Sequence, residues 1–189
     1  MAARKKMSEK TIKINKKHLI IGAIIALIII GFLFIKNTKI ANTNTQNTAP
    51  TTKYEPALQI ILQTTSGEEI TLSQFRGKPV ILQAMASWCP SCKLQSQQIK
   101  PVYEKYKDKG LVVISLDIQP ERSTLEELKN FKQTYGGDWY FGFYPEFVAQ
   151  YNIRSLDSTV ILDKEQNIVY KDDTITPTAK LDETISALI

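Results

Sequence analysis

The sequence predicts an α/β sandwich, residues 57–189, preceded by one N-terminal membrane-spanning helix. Three observations carry this. An uncharged apolar run covers residues 19–35. From residue 57 onward, short apolar runs of strand length alternate with segments of helical period. The only two cysteines are separated by two residues, where a predicted buried strand gives way to a helix. With 189 residues and 43% hydrophobic side chains, the chain holds one domain with a real core and no second domain of similar size.

Residues Leu19–Ile35 read LIIGAIIALIIIGFLFI, flanked by Lys17 and Lys36. The lysine stems snorkel, so residues 18–36 reach the roughly 20 residues that a bilayer requires. The run is too long for a usual signal-peptide core and no A-x-A site follows it, which favours an uncleaved signal-anchor over a cleaved leader. No cysteine follows closely enough for lipid attachment. Arg4, Lys5, Lys6, Lys10, Lys13, Lys16 and Lys17 precede the span. The positive-inside rule therefore makes residues 1–17 a cytoplasmic basic tail and puts the C-terminal domain outside, in a single-pass plasma-membrane protein. Residues 37–56, NTKIANTNTQNTAPTTKYEP, are too polar to fold alone and read as a solvated tether. The net charge of +5 is uneven: residues 1–56 carry +8 and residues 57–189 carry −3. The folded part is mildly acidic, which excludes nucleic acid as its partner.

Within 57–189, Leu58–Leu62 and Glu69–Leu72 around Ser66-Gly67 predict a β-hairpin. Arg76–Pro79 is a turn. Val80–Met85 is nearly continuously apolar, as in a strand buried on both faces. After the cysteines, Ile99, Val102, Tyr103 and Tyr106 mark a helix closed by Gly110, with Pro101 bending it. Leu111–Leu116 is a second buried strand. Ser123 with Glu126 forms a capping box for a helix ending at Gly136-Gly137. Trp139–Phe143 is aromatic and ambiguous. A short helix covers Glu146–Tyr151, and Thr159–Leu162 with Ile168–Tyr170 form a hairpin around Asp163–Asn167. Thr176-Pro177 opens the last helix, with proline at the first helical position and Leu181, Ile185 and Leu188 facing inward.

Cys89 and Cys92 sit in Trp88-Cys89-Pro90-Ser91-Cys92. A helix N-terminus favours a thiolate at Cys89, and Pro90 fits the first turn, where its missing N–H costs nothing. Cys92, one turn on, can attack a mixed disulfide at Cys89. The spacing predicts a dithiol/disulfide switch with Cys89 as exposed nucleophile and Cys92 as resolving thiol, Lys93 adding weak positive charge. A purely structural disulfide closing so short a loop contributes only about 2 kcal/mol. A zinc site needs about four ligands, and the only histidine, His18, lies at the membrane edge.

The stretch Leu72–Cys92, LSQFRGKPVILQAMASWCPSC, resembles the active-site region of the TlpA/ResA-type membrane-anchored thioredoxin-like proteins. Tyr151–Tyr170, YNIRSLDSTVILDKEQNIVY, resembles their final hairpin. The similarity spans nearly all of residues 57–189. It implies a thioredoxin-like α/β/α sandwich with a four- or five-stranded sheet, and exchange with protein disulfides and dithiols, in some members during cytochrome c maturation or redox homeostasis. Trp88 matches the family tryptophan beside the nucleophile, either a flat docking surface or a rim aromatic of the core. With Pro90, Ser91, Asp157 and Ser158 it makes up the supporting or substrate-binding set.

The chain departs from that pattern at three places. The family keeps a cis-proline facing the cysteines; the corresponding residue is Asp157, and no proline lies between Pro145 and Pro177. A cis bond before Asp157 would cost several kcal/mol, so a trans bond is expected. Asp157 near Cys89 would raise the thiol pKa or accept its proton; otherwise it is a solvent-facing loop residue. Gln83 stands where cytoplasmic thioredoxins keep a buried acid, and Gln95 where some anchored members keep a glutamate. Neither can transfer a proton, which leaves Asp157 or water.

The leading expectation is a protein-disulfide reductase fed by an electron donor such as a membrane thiol relay. The alternatives are a thiol peroxidase, disfavoured because Ala86 stands where a threonine is needed, and a tethered binding module with a structural disulfide. A copper-delivery factor lacks its C-x-x-x-C pair and histidine. The sequence has no cofactor motif: no G-x-G-x-x-G, no P-loop and no C-x-x-C-H.

Overall fold

The computed structural model describes residues 55–57 and 59–189. The segment assigned to the membrane, the basic tail and most of the tether lie outside the described residues. Among the described residues no helix is long and apolar enough to cross a membrane.

A six-stranded sheet forms the middle layer, in the order β1-β8-β7-β4-β5-β6. Its centre is β4 (Val80–Met85) beside β5 (Val112–Asp117), parallel and buried along their whole length. β6 (Tyr140–Phe143) extends the parallel side, which settles the aromatic stretch as a strand. On the other side β7 (Thr159–Leu162) runs antiparallel to β4, and β8 (Asn167–Asp172) antiparallel to β7. β1 (Glu55–Pro56) pairs antiparallel with β8 through Ile168 and Asn167. The last two residues expected in the tether are thus a sheet edge, and the sheet has one strand more than the resemblance implies. Two residues carry no periodicity that a sequence could show.

Alternation along the strands sorts the core into two layers. Val80, Leu82 and Ala84 of β4 face the cluster that holds Ile60, Leu62, Ile70 and Phe147. Leu62 and Ile70 come from the hairpin β2 (Ile61–Gln63) and β3 (Glu69–Thr71), Ile60 directly precedes β2, and Phe147 opens the short helix α3 (Phe147–Gln150). The hairpin meets the sheet edge through a bridge from Thr64 to Gly142. Ile81 and Met85 face the opposite cluster, with both cysteines, Ile99, Val102, Phe131, Leu181 and Ile185. That layer is built by α1 (Pro90–Tyr106), α2 (Leu125–Tyr135) and α4 (Thr178–Ser186). α1 runs unbroken through Pro101 and, after a short 3-10 turn, stops at Gly110, whose φ of 99° suits glycine.

Two helix starts differ from expectation by one residue. Thr124, not Ser123, caps α2, and Glu127, not Glu126, answers it: Glu127 N–H donates to Thr124 Oγ1 at 3.2 Å and Thr124 N–H to Glu127 Oε2 at 2.7 Å. The run Ser-Thr-Leu-Glu-Glu satisfies the pattern in either register. Burial of Leu128 and Phe131 selects the second, and Ser123 is engaged elsewhere, accepting the Ser87 hydroxyl at 2.9 Å. Pro177 is the residue before α4 rather than its first, extended at φ −63° and ψ 149°. Thr178 holds that register, its N–H and hydroxyl reaching Gln98 Oε1 at 2.9 and 2.7 Å. Gly136-Gly137 ends α2 as expected, through close approach: a Cβ on Gly136 would lie 2.7 Å from the Phe141 ring, and one on Gly137 2.2 Å from the Trp139 ring.

Candidate active site

β4 ends at Met85, beside Asp117 of β5, and the chain turns through Ala86–Trp88 into α1. Cys89 N–H closes the turn onto the Ala86 carbonyl at 3.0 Å. Cys89 is the N-cap of α1 with Pro90 directly after it, and Cys89 is joined to Cys92 by a disulfide across 5.3 Å between Cα atoms. Cys92 N–H points at Cys89 Sγ from 3.2 Å, and the Ser91 hydroxyl lies 3.3 Å from the same sulfur. Once the disulfide opens, a negative charge on Cys89 meets a free amide at a helix tip and a hydroxyl donor. Both favour the thiolate over the thiol. Ser91→Ala is expected to raise the Cys89 pKa by about half a unit to one unit. The pH profile of alkylation of the reduced protein measures it, and an unmoved midpoint removes Ser91 from the site.

Cys89 was expected to be exposed, and it is not: 2% of its surface is open. The strand-to-helix turn tucks its side chain inward, and both cysteines belong to the buried cluster against which Leu156 packs. Trp88 holds the surface position instead, 37% exposed. The Arg122 guanidinium covers one face of its ring, 3.7 Å from the centroid.

The turn Arg154–Ser158 stands opposite the cysteines, and the Leu156 carbonyl lies 3.3 Å from Cys92 Sγ. The bond before Asp157 is trans, since the described residues contain no cis peptide. Asp157 is half-buried, and its carboxylate accepts the Ser155 hydroxyl. The group placed against sulfur is therefore the carbonyl of its neighbour. Ser158 is buried, and its carbonyl accepts Ala84 N–H at 2.9 Å, tying the turn to β4.

Gln83 is fully buried beneath Cys92. Its amide donates to the Cys92 carbonyl at 3.3 Å and to Ser96 Oγ at 3.2 Å. Its oxygen accepts the Ser115 hydroxyl at 2.8 Å, and Ser115 in turn accepts the Trp139 indole N–H at 2.9 Å. A neutral network satisfies this buried position. Gln95 is also buried and brackets the Thr176 backbone, accepting its N–H at 2.6 Å and donating to its carbonyl at 3.4 Å. It fastens the start of α4 to α1.

Sequence reasoning passed over Asp117. It is fully buried at the end of β5 and accepts Ser87 N–H at 3.1 Å and Gln119 N–H at 2.9 Å. Burial pushes its carboxyl above the usual range, against the hydrogen bonds from Ser123, Gln119 and Ser87, with the nearby Glu121 charge acting in the same direction as burial. An acid closing a mostly apolar strand run was a legible signal; its hold on the turn two residues before Cys89 was not. Among the described residues no group of three or more His, Cys, Asp or Glu could hold a metal ion.

The profile of the Redoxin family matches residues 34–186. The chain belongs to the Redoxin family. Curated relatives of this redoxin include the thiol-disulfide oxidoreductase ResA of Bacillus thuringiensis subsp. konkukian, 29% identical over 105 residues, covering 54% of this chain and 59% of that protein. The thioredoxin-like protein YneN of Bacillus subtilis is 30% identical over 107 residues, covering 55% and 61%. The redoxin thus spans about three fifths of the length of these relatives. Among solved structures, a thioredoxin-like protein from Aeropyrum pernix superposes with a TM-score of 0.59 at 30% identity, covering 68% of this chain and 89% of its own. The resemblance to the TlpA/ResA-type proteins holds in sequence, and the thioredoxin-like α/β fold holds in structure.

Proposed function

We propose that this redoxin is a thiol–disulfide oxidoreductase acting as a reductase of extracytoplasmic protein disulfides, held at the plasma membrane by residues 18–36. The observation that carries the chemistry is the Cys89–Cys92 disulfide at the N-terminus of α1, with Cys92 N–H and the Ser91 hydroxyl aimed at Cys89 Sγ. The similarity to the ResA proteins, which are thiol-disulfide oxidoreductases, supports it. In the reduced protein the Cys89 thiolate attacks one sulfur of a substrate disulfide, and the other substrate sulfur leaves as a thiolate. Cys92, once deprotonated, attacks Cys89 in the mixed disulfide, releases the second substrate thiol and restores the internal disulfide. Two electrons pass to the substrate in each cycle, and a dithiol donor, such as a membrane thiol relay, returns them.

Trp88 offers a flat apolar surface beside the disulfide for a docking polypeptide. A groove of about 200 Å³ opens next to it, with Ser87 and Lys93 on one wall and Asn130 and Thr134 on the other. The anchor and the orientation rest on the uncharged run 19–35 and on the lysines and arginine before it. Equilibrating the full chain with glutathione buffers tests the direction. A strongly negative potential agrees with a reductase, one near about −120 mV makes the protein an oxidant, and a pair that never exchanges ends the proposal.

A further inference from the structure

The turn facing the disulfide is held from a distance. The Asp173 carboxylate, just past β8, accepts Arg154 N–H at 3.1 Å through Oδ1. The same oxygen lies 2.8 Å from the Ser158 hydroxyl, which is also 2.8 Å from the Ser155 carbonyl. Ser155 N–H donates back to Ser158 Oγ at 3.3 Å. One carboxylate oxygen therefore gathers both ends of the turn Arg154–Ser158. Between those ends stands the Leu156 carbonyl, 3.3 Å from Cys92 Sγ.

That contact differs between the two redox states. A disulfide sulfur carries no proton, so the carbonyl has nothing to accept from it. Reduction by glutathione breaks the Cys89–Cys92 bond and gives each protein sulfur a hydrogen, while two glutathione molecules join as their disulfide. The Cys92 thiol then has an S–H donor, and the Leu156 oxygen is already in place as its acceptor. A bond present in only one state shifts the equilibrium toward that state.

We propose that Asp173 is a positioning residue for the redox pair: by clamping Arg154 N–H and the Ser158 hydroxyl it holds the Leu156 carbonyl where it stabilises the dithiol form. Its ionised state suits the task. Burial alone would raise its pKa, but the bonds from Ser158 and Arg154 N–H and the charges of Lys171 and Arg154 outweigh burial and hold its carboxyl below the usual range. Carboxylates are stronger acceptors than neutral groups, so the turn is gripped at neutral pH.

This inference rests on disulfide exchange by Cys89 and Cys92, and the experiment separates the two claims. The full chain, Asp173→Ala, Asp173→Asn and Ser158→Ala are equilibrated with reduced and oxidised glutathione, and the dithiol fraction is counted by alkylation and mass spectrometry. Asp173→Ala is expected to move the equilibrium about three-fold toward the disulfide, about 15 mV more negative. Asp173→Asn keeps an oxygen at Oδ1 as a weaker, neutral acceptor and is expected to shift the equilibrium in the same direction but clearly less than Asp173→Ala. Ser158→Ala, which cuts the link from the other end, is expected to shift in the same direction and serves if Asp173→Ala does not fold. An equilibrium unmoved in the alanine variants, or moved equally by asparagine, overturns the role of Asp173 and leaves the oxidoreductase standing. A parent pair that does not exchange with glutathione overturns both.

Discussion

Cys89→Ser is expected to abolish disulfide exchange, lowering the rate by on the order of a thousand-fold or more, because a serine hydroxyl is not ionised near neutral pH and cannot form the covalent intermediate. Cys92→Ser is expected to fail differently. Cys89 keeps its helix-tip position, and its thiolate keeps the Ser91 hydroxyl and the amide of residue 92. The first attack still occurs, but the resolving sulfur one turn along α1 is gone. A one-to-one mixed disulfide with the substrate then accumulates, visible by mass spectrometry under non-reducing conditions and released by dithiothreitol. The asymmetry decides the matter: if each serine variant supports turnover like the parent, the disulfide is only a staple and the domain a tethered binding module. If the adduct instead forms at Cys92 in the Cys89→Ser protein, the nucleophile has been assigned to the wrong sulfur.

The second large effect is expected at Gln83. Gln83→Leu keeps the volume roughly constant but strips Ser115 of its acceptor and takes a donor from Ser96 and from the Cys92 carbonyl. These groups are buried under the redox pair, where an unsatisfied polar atom costs more than its hydrogen bond was worth. A loss of about 2–4 kcal/mol in urea unfolding is expected, with an unchanged m value. A loss under about 0.5 kcal/mol would mean that the network is not a significant part of the stability. Gln83→Glu adds a pH signature. A buried carboxyl has its folded pKa raised above the unfolded value, so its stabilising state is the protonated one. That stability is complete below the unfolded pKa and is lost as pH rises through the folded one. The parent glutamine shows no such dependence at this position.

The parts of the fold that were legible share a property: each is encoded by neighbours in the chain. The apolar run Val80–Met85, interrupted only by Gln83, marks a central strand because both its faces are covered, and β4 has those bounds. The spacing of Ile99, Val102, Tyr103 and Tyr106 marks the inner face of α1 for the same local reason. The capping box of α2 shows the limit. Ser-Thr-Leu-Glu-Glu allows two registers, and the choice was made by which residues reach the core, information that lies in the other elements. β1 fell below the limit altogether, since two paired residues leave no pattern.

The site divides along the same line. The pairing of Cys89 with Cys92 was legible because it depends on a spacing of one helical turn, a distance measured along the chain. Their burial was not, because what covers them is brought by the distant turn at Leu156. Asp157 was singled out as the residue facing the sulfur, yet the group that faces it is a backbone carbonyl, which every residue carries and no sequence distinguishes.

The amino-acid sequence by itself therefore determined the α/β class, the order of the longer strands and helices along the chain, and the pair of cysteines one helical turn apart, all of them consequences of periodicity and local spacing. Only the tertiary structure decided that Cys89 is enclosed, that Gln83 belongs to a neutral network with Ser115 and Trp139, and that Asp117 and Asp173 accept the backbone N–H groups of Ser87 and Arg154. Hydrogen bonds between residues far apart in the chain carry no spacing signal; they exist only once the packed layers bring donor and acceptor within about 3 Å of each other.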